Sequence, residues 1–201
     1  FIVQMIKHFL ILSTLLLLGC NKTIEKKKIS APVNKEKQTF LKSAYFDEER
    51  IKNDKYDVKY NGNWSSYSEL ELYYSYNKSK KHELIPYSLI MVEKHKNYDY
   101  CDNVFSNLLE FYSEIELSDF YNGEKSSLVK YLKNIELLNK HQRDYAIYFL
   151  ELGAKNKNTG CISYLEMINR YGLGIDKNLK KADSLIAIFE KITALESKNI
   201  K

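Results

Sequence analysis

Proline and glycine are scarce in this sequence of 201 residues, which contains two prolines and seven glycines. Both residues interrupt helices or form turns, so their scarcity favours long helices. Apolar residues recur at intervals of three and four along most of the chain, and no strand pattern competes with them. We predict an all-α protein, with residues 55–64 in a loop and helices near residues 40–53, 65–77, 83–96, 101–115, 125–138, 142–155, 160–171 and 178–192.

Arginine is scarce as well, with three arginines against 28 lysines and a formal net charge of +5. Proteins that read nucleic acid usually rely on arginine and on a clustered basic face. Here the lysines are interspersed with acidic residues, as on an ordinary solvated surface. We therefore predict no nucleic-acid partner.

Sequence patterns that carry known chemistry are missing too. The chain has no HExxH, P-loop or GxSxG motif, and His82, His95 and His141 fall near helix ends among lysines. We predict no catalytic residue, no metal ligand and no cofactor.

Cysteine occurs three times, at Cys20, Cys101 and Cys161. Cys101 and Cys161 could form a disulfide in an oxidising compartment, or each could be a small buried residue. The sequence contains no CxxC pair that would indicate a metal or redox site, and we favour the packing interpretation.

The aromatic run of Trp64, Tyr67, Tyr73, Tyr74 and Tyr76 allows two interpretations, because tyrosine and tryptophan serve both cores and interfaces. Tyr67 and Tyr74 share a helical face with a leucine and are predicted to be core. Tyr73 and Tyr76 are candidates for exposure.

An apolar stretch, “LILSTLLLLGCNK”, occupies residues 10–22 and follows a short positively charged segment. Its length of about ten apolar residues suits a secretory signal and is half of what a membrane-spanning helix needs. Leu17, Gly19 and Cys20 resemble the lipobox of bacterial lipoproteins. The resemblance implies a signal peptide at residues 1–19, cleavage between Gly19 and Cys20, and acylation of Cys20.

The lysine-rich sequence after the cysteine is polar and has no aromatic residue, so residues 20–39 are predicted to be a flexible tether. In the lipoprotein family, Asn21 at this position is compatible with sorting to an outer membrane. The resemblance implies a lipid-anchored protein of the cell envelope, facing the periplasm.

A repeat of 36 residues relates the last four predicted helices to one another. Val129 aligns with Leu165, and Ala146 aligns with Ala182. Helix pairs repeated at such a period are typical of stacked helical solenoids, in which each pair covers the apolar face of its neighbour. We predict a short right-handed α-solenoid of antiparallel helix pairs, with degenerate pairs at 40–124 and two repeat units at 125–201.

The stretch “CISYLEMINRYGLGIDKNLKKADSLIAIFEK” resembles the Sel-one-like repeat, a relative of the tetratricopeptide repeat. Its correspondence with the family rests on a small residue, a leucine, two turn glycines and a Lys-Ala pair: Cys161, Leu165, Gly172, Gly174, Lys181 and Ala182. The chain departs from the pattern at Glu166, where the family often has glycine. The unit at 125–160 has Lys125 in place of the small residue.

The family resemblance implies a protein-interaction scaffold that binds through the concave surface of its first helices. The partner-binding candidates are polar residues that we expect on that open face: Lys130, Lys133, Asn134, Glu166, Asn169 and Arg170. The expected partner is another envelope or secreted protein, and a secreted toxin would make this chain an immunity protein. An alternative is a repeat protein that binds or hydrolyses a cell-wall-related small molecule, but family members with that property carry a cysteine pair in each repeat.

Overall fold

The computed structural model describes residues 47–199, and in this part of the chain it contains helices and turns but no strand. Eight α-helices occur there: α1 (Glu48–Asn61), α2 (Trp64–Tyr76), α3 (Ile85–Leu89), α4 (Cys101–Ser113), α5 (Lys125–Leu132), α6 (Lys140–Lys155), α7 (Thr159–Tyr171) and α8 (Leu179–Asn199). The prediction of an all-α protein is confirmed for these residues. The predicted signal peptide, Gly19, Cys20 and the tether lie outside the described residues.

Shorter helical segments join the α-helices. Four are 3₁₀ turns, at Lys78–Leu84, Tyr98–Tyr100, Leu117–Asp119 and Lys133–Leu137, and one is a π-helical turn at Ile90–Lys94. Among residues 47–199, no helix combines the length and the apolarity that crossing a bilayer requires.

Helix α1 corrects the prediction of a loop at residues 55–64, because it continues to Asn61. Ile51, Asp54 and Val58 lie about one turn apart and are all buried, on the side where α1 packs against α2. Gly62 ends the helix with a φ of 62°, a left-handed conformation that is costly for residues with a Cβ. The tyrosines and lysines between these buried positions hid the helical period.

The predicted helix at 125–138 is also wrong in its second half. Helix α5 ends at Leu132, and a 3₁₀ turn follows. Leu132, Ile135 and Leu138 are spaced by three and are all buried. A 3₁₀ helix has three residues per turn and therefore brings all three side chains onto one face.

The predicted helix at 83–96 is divided into three segments. Helix α3 has Pro86 in its first turn. Backbone N–H groups at this position have no acceptor within the helix, so the N–H that proline lacks is not needed there. A π-helical turn follows, in which the N–H of His95 donates to the carbonyl of Ile90 at 3.1 Å. The wider turn buries the neighbouring side chains of Met91 and Val92 together.

Two clusters of buried side chains form the core. The larger one contains Phe105 and Phe149 and lies among α4, α6 and α7. The smaller one contains Tyr67 and Tyr74, which confirms their prediction as core, and lies among α1, α2 and Met91. Helices close in sequence pack against each other, as in the pairs α1–α2, α3–α4, α4–α6, α5–α7, α6–α7 and α7–α8.

Candidate functional site

A surface groove between α5, α7 and α8 is the main candidate site. Its cavity measures about 310 Å³. Six apolar side chains line it: Leu128, Ile162, Met167, Leu185, Ile186 and Phe189. We call this feature the α5–α8 groove. Leu128, Ile186 and Phe189 remain partly exposed, so the groove offers apolar surface to a ligand or a partner.

Capping residues fix both ends of α7, the helix that forms the floor of the groove. At its start, the side chain of Asn158 accepts a hydrogen bond from the N–H of Cys161 at 2.8 Å. At its end, Gly172 has a φ of 68°, and Gly174 in the following turn has a φ of 64°. Left-handed backbone at these two glycines reverses the chain toward α8.

Asn169 holds the turn between α7 and α8 together. Its carbonyl accepts a hydrogen bond from the N–H of Asn178 at 2.9 Å, and its side-chain amide donates to the carbonyl of Leu165 at 2.7 Å. Asn178 in turn caps α8 by accepting a hydrogen bond from the N–H of Lys181. The turn therefore sets the angle at which α8 leaves α7.

A buried carboxylate lies at the polar end of the groove. Glu166 is only 2% exposed, and its Oε2 lies 3.1 Å from Nζ of Lys125. Its Oε1 accepts a hydrogen bond from Nε of Arg170, one turn further along α7. Two cations thus compensate one buried anion, which otherwise would be strongly unfavourable away from water.

Arg170 extends this ion pair to a network that spans two helices. Nη2 of Arg170 donates a hydrogen bond to Oδ1 of Asp183 on α8 at 2.9 Å. Hydrogen bonds to Glu166 and then to Asp183 raise the pKa of the guanidinium, so it stays charged. The network joins α5, α7 and α8 at the edge of the groove and leaves its charges nearly balanced.

The structure brings together only some of the six predicted partner-binding residues. Among the described residues, Glu166 alone of the six lines the groove. Glu166 and Asn169 are both 2% exposed, which corrects the expectation that they lie on an open face. The reason is that α5, α6 and α8 all pack against α7 and enclose most of its circumference.

The remaining predicted residues differ in position. Lys130 and Lys133 are exposed on α5 and on the 3₁₀ turn after it, and Asn134 is half-buried next to them. Arg170 lies at the edge of the groove through its bond to Glu166.

Sequence reasoning missed the apolar lining of the groove. Leu185, Ile186, Phe189 and Ile192 form a stripe that continues along α8. Helix α8 has 21 residues, whereas α7 has 13. A shorter helix cannot cover the whole stripe of a longer one. The signal available in the sequence was the apolar spacing of this stripe, not the difference in helix length.

A second cavity of about 190 Å³ lies between the 3₁₀ turn before α3 and the end of α4. Four of its charged side chains pair with each other: Lys78 Nζ lies 2.8 Å from Glu116, and Lys81 Nζ lies 2.5 Å from Glu110. A ligand would have to displace these pairs, so the α5–α8 groove is the better candidate.

The two cysteines of the described region are free thiols and fully buried, as the packing interpretation expected. Burial raises the pKa of Cys101 to about 12 and raises that of Cys161 as well. Because a thiolate is the reactive form, neither is poised as a nucleophile. Residues 47–199 contain no group of three potential metal ligands.

Comparison of the chain with models of known protein families, with curated proteins and with solved structures finds no match.

Proposed function

We propose that this chain is a lipid-anchored helical-repeat protein of the bacterial cell envelope that binds another protein through the α5–α8 groove. The observation that carries the proposal is the groove's apolar lining. Leu128, Ile186 and Phe189 lie together and keep part of their surface exposed. Apolar surface concentrated in a groove favours a protein interface, because its burial is the main driving force for association.

The packing of the last helices supports a repeat architecture. Helix α7 packs against α5, α6 and α8, so the two predicted repeat units share one interface. In a stack of helix pairs, the final pair presents apolar surface that a further pair would cover. On α8, Ile188 and Leu195 are further exposed apolar side chains outside the groove lining.

An amphipathic helix is the partner structure that fits the groove. Helices pack into grooves between other helices through apolar residues spaced by three and four. The charges at the polar end, Lys125 and Arg170 against Glu166 and Asp183, are paired within the chain. Recognition would therefore depend on apolar contacts rather than on net charge.

Attachment to the membrane rests on the lipobox-like residues Leu17, Gly19 and Cys20. Several acyl chains on one cysteine would hold a soluble domain on a bilayer durably. Metabolic labelling with a palmitate analogue in a bacterial host tests this part of the proposal. The label should appear on the chain and be lost in Cys20→Ser; labelling that persists in the variant contradicts it.

Site-specific photo-crosslinking tests the groove. A photoreactive amino acid replaces Leu128 in the full chain, expressed in its host, and a matched chain carries it at Tyr148, which is exposed on α6. We expect one adduct from position 128, with an envelope or secreted protein, mapping to an amphipathic helix of that protein. Phe189→Asp, with its helix content checked by circular dichroism, should abolish the adduct.

Three results would contradict groove binding: no adduct from position 128, the same adduct from both positions, or a cross-linked segment without an apolar helical face. The identity of the partner decides the narrower form of the proposal. A secreted toxin in the adduct would make this chain an immunity protein.

A further inference from the structure

The corner where α1 ends and α2 begins exposes three aromatic side chains. Tyr56 is 58% exposed, Tyr60 is 51% exposed and Trp64 is 69% exposed. The rings of Tyr56 and Tyr60 pack together with centroids 4.5 Å apart, one turn from each other on α1. Trp64 begins α2 directly after the turn at Gly62.

Lysines surround these rings. Nζ of Lys59 lies 5.2 Å from the centroid of the Tyr60 ring, and Nζ of Lys94 lies 5.1 Å from it. Lys52 is exposed one turn before Tyr56 on the same helix. We call the set formed by Lys52, Tyr56, Lys59, Tyr60, Trp64 and Lys94 the aromatic corner.

Contacts across the corner hold it in place. Nζ of Lys94 donates to the carbonyl of Lys59, and Nε2 of His95 lies 3.3 Å from the same oxygen. The His95 ring also fills the space that a side chain at Gly62 would need, since a Cβ there would lie 2.7 Å from it. The corner therefore presents its rings and ammonium groups from a packed scaffold.

This combination of groups matches the interface of a lipid bilayer. Tyrosine and tryptophan concentrate at the level of lipid headgroups, where an apolar ring and a polar tip are both accommodated. Lysines place their charge among the headgroups while their stems cover apolar surface, and they are attracted to anionic lipid. Acidic residues border the corner as well: Asp57 and Glu93 and, one turn before Lys52, Glu48 and Glu49. Asp57 is engaged by a hydrogen bond from Asn61 at 2.9 Å.

We propose that the aromatic corner rests on the headgroup region of an anionic bilayer and so orients the folded domain on the membrane. This surface is formed by α1, α2 and the π-helical turn, whereas the α5–α8 groove is formed by α5, α7 and α8. Lipid attachment at Cys20 would bring the domain to a bilayer, and the corner would decide which face turns toward it.

The single tryptophan of the chain makes the inference directly testable, because Trp64 is the only source of indole fluorescence. The full chain is reconstituted with vesicles of phosphatidylcholine alone and with vesicles that also contain phosphatidylglycerol. Collisional quenching by aqueous iodide and by brominated acyl chains reports where the indole lies. In the anionic vesicles we expect a blue-shifted emission and iodide quenching lowered by about half or more.

Charge variants distinguish binding through the aromatic corner from a general electrostatic attraction of the chain to anionic vesicles. Lys52→Glu/Lys59→Glu should restore iodide quenching to its value in neutral vesicles, as should high salt, which screens the lysines. Lys180→Glu/Lys191→Glu makes the same charge change at exposed positions of α8 and should leave Trp64 protected. Circular dichroism checks that both variants fold.

Two results would overturn the inference. One is equal iodide access in neutral and anionic vesicles, which would show that the aromatic corner does not rest on anionic lipid. The other is loss of protection in both double variants. Neither result depends on acylation at Cys20 or on the groove, whose tests use palmitate labelling and cross-linking.

Discussion

Glu71 is an acidic side chain that α2 places against α4. Its Oε1 accepts a hydrogen bond from the side-chain amide of Asn103 at 2.5 Å. Burial raises the pKa of its carboxyl, and the nearby charge of Asp102 raises it further. The folded state therefore holds a proton at Glu71 more tightly than the unfolded chain does.

This shift fixes how stability depends on pH. The contribution of Glu71 is favourable below the unfolded pKa of about 4.3 and is lost as the pH rises through the raised folded value. Glu71→Gln should therefore raise the free energy of unfolding at pH 7 by about 1 kcal/mol, because a neutral amide costs less to bury. The gain should vanish below pH ~4 in urea titrations.

The matched control for Glu71 is Glu69→Gln, which breaks a surface ion pair with Arg50. It should change the free energy of unfolding by less than about 1 kcal/mol. An unchanged or lower stability of Glu71→Gln at pH 7 would show that its carboxylate is stabilised in the fold.

Gly153 shows how one side chain can be excluded by packing. A Cβ on Gly153 would lie 2.3 Å from Sγ of Cys161 and 2.7 Å from Cβ of Cys101. Although alanine favours helix by about 1 kcal/mol over glycine, Gly153→Ala should lower the free energy of unfolding by about 1–3 kcal/mol, because α6 must move away from its neighbours.

Gly160→Ala is the comparison for Gly153. Its Cβ would meet mainly the carboxylate of Asp102, at 2.4 Å, and a side-chain end can move more easily than a neighbouring helix. In thermal denaturation, we expect Gly160→Ala to lose less stability than Gly153→Ala. Equal losses at both glycines would mean that close helix contact is not what requires Gly153.

At the scale of elements, Asn158 joins the start of α7 to the start of α4. Its Oδ1 caps α7, and its Nδ2 donates to the carbonyl of Asp99 at 2.9 Å and to Oδ1 of Asp102 at 3.2 Å. Asn63 caps α2 from an exposed position, through bonds to the N–H groups of Ser65 and Ser66. Substitutions of Asn63 and Asn158 therefore distinguish the stability that comes from a helix cap from the stability that comes from hydrogen bonds between helices.

Asn63→Ala should cost about 1 kcal/mol, the usual value of a cap. Asn158→Ala should cost more, about 2–4 kcal/mol, because buried acceptors also lose their donor. Asn158→Asp keeps the cap but places a second carboxylate beside Asp102, so it should not restore stability at pH 7. Urea titrations measure the stability of all three variants. Full stability of Asn158→Asp would contradict the role of the Asn158 amide as a hydrogen-bond donor.

The elements also show what the sequence could and could not predict. Helices with a regular apolar period, such as α4, α6 and α7, were found within a few residues. The ends of α1 and α5 were not, because Val58 is isolated among polar and aromatic residues and because a 3₁₀ turn extends the buried face of α5 to Leu138.

The candidate site was predicted only in part, for a similar reason. The expectation of polar residues on an open helix face selected Glu166 and Arg170, and the structure joins them in one ion pair. The burial of Glu166 could not be read from the sequence, since it depends on helices that pack around α7, and its ion-pair partner Lys125 precedes it by 41 residues. Contacts at such distance follow from how helices pack rather than from the period within one helix.

At the scale of the whole molecule, a buried polar contact links the two hydrophobic clusters. The hydroxyl groups of Tyr67 on α2 and Ser88 on α3 lie 2.8 Å apart, and the side-chain amide of Asn107 on α4 donates to Ser88 at 2.9 Å. Tyr100 packs against both clusters. The hydroxyl of Ser88 is thus the point at which three helices share one hydrogen-bonded group.

Ser88→Ala removes this shared group, so the hydroxyl of Tyr67 and the side-chain amide of Asn107 lose their hydrogen bonds to Ser88. We expect a loss of about 1–3 kcal/mol in the free energy of unfolding, the usual cost of unsatisfied buried polar groups. Hydrogen exchange should show lower protection in α1 and α2 than in α6 and α7, because the smaller cluster loses its connection to the larger one.

Ser184→Ala is the matched control for Ser88, since Ser184 is exposed on α8 and bonds only one turn back, to the carbonyl of Lys180 at 2.9 Å. It should leave protection unchanged everywhere. If Ser88→Ala lowers protection equally in α2 and α7, the described region unfolds as one cooperative unit. The aromatic corner and the α5–α8 groove would then be energetically coupled, and a partner bound in the groove would also stabilise the surface formed by α1 and α2.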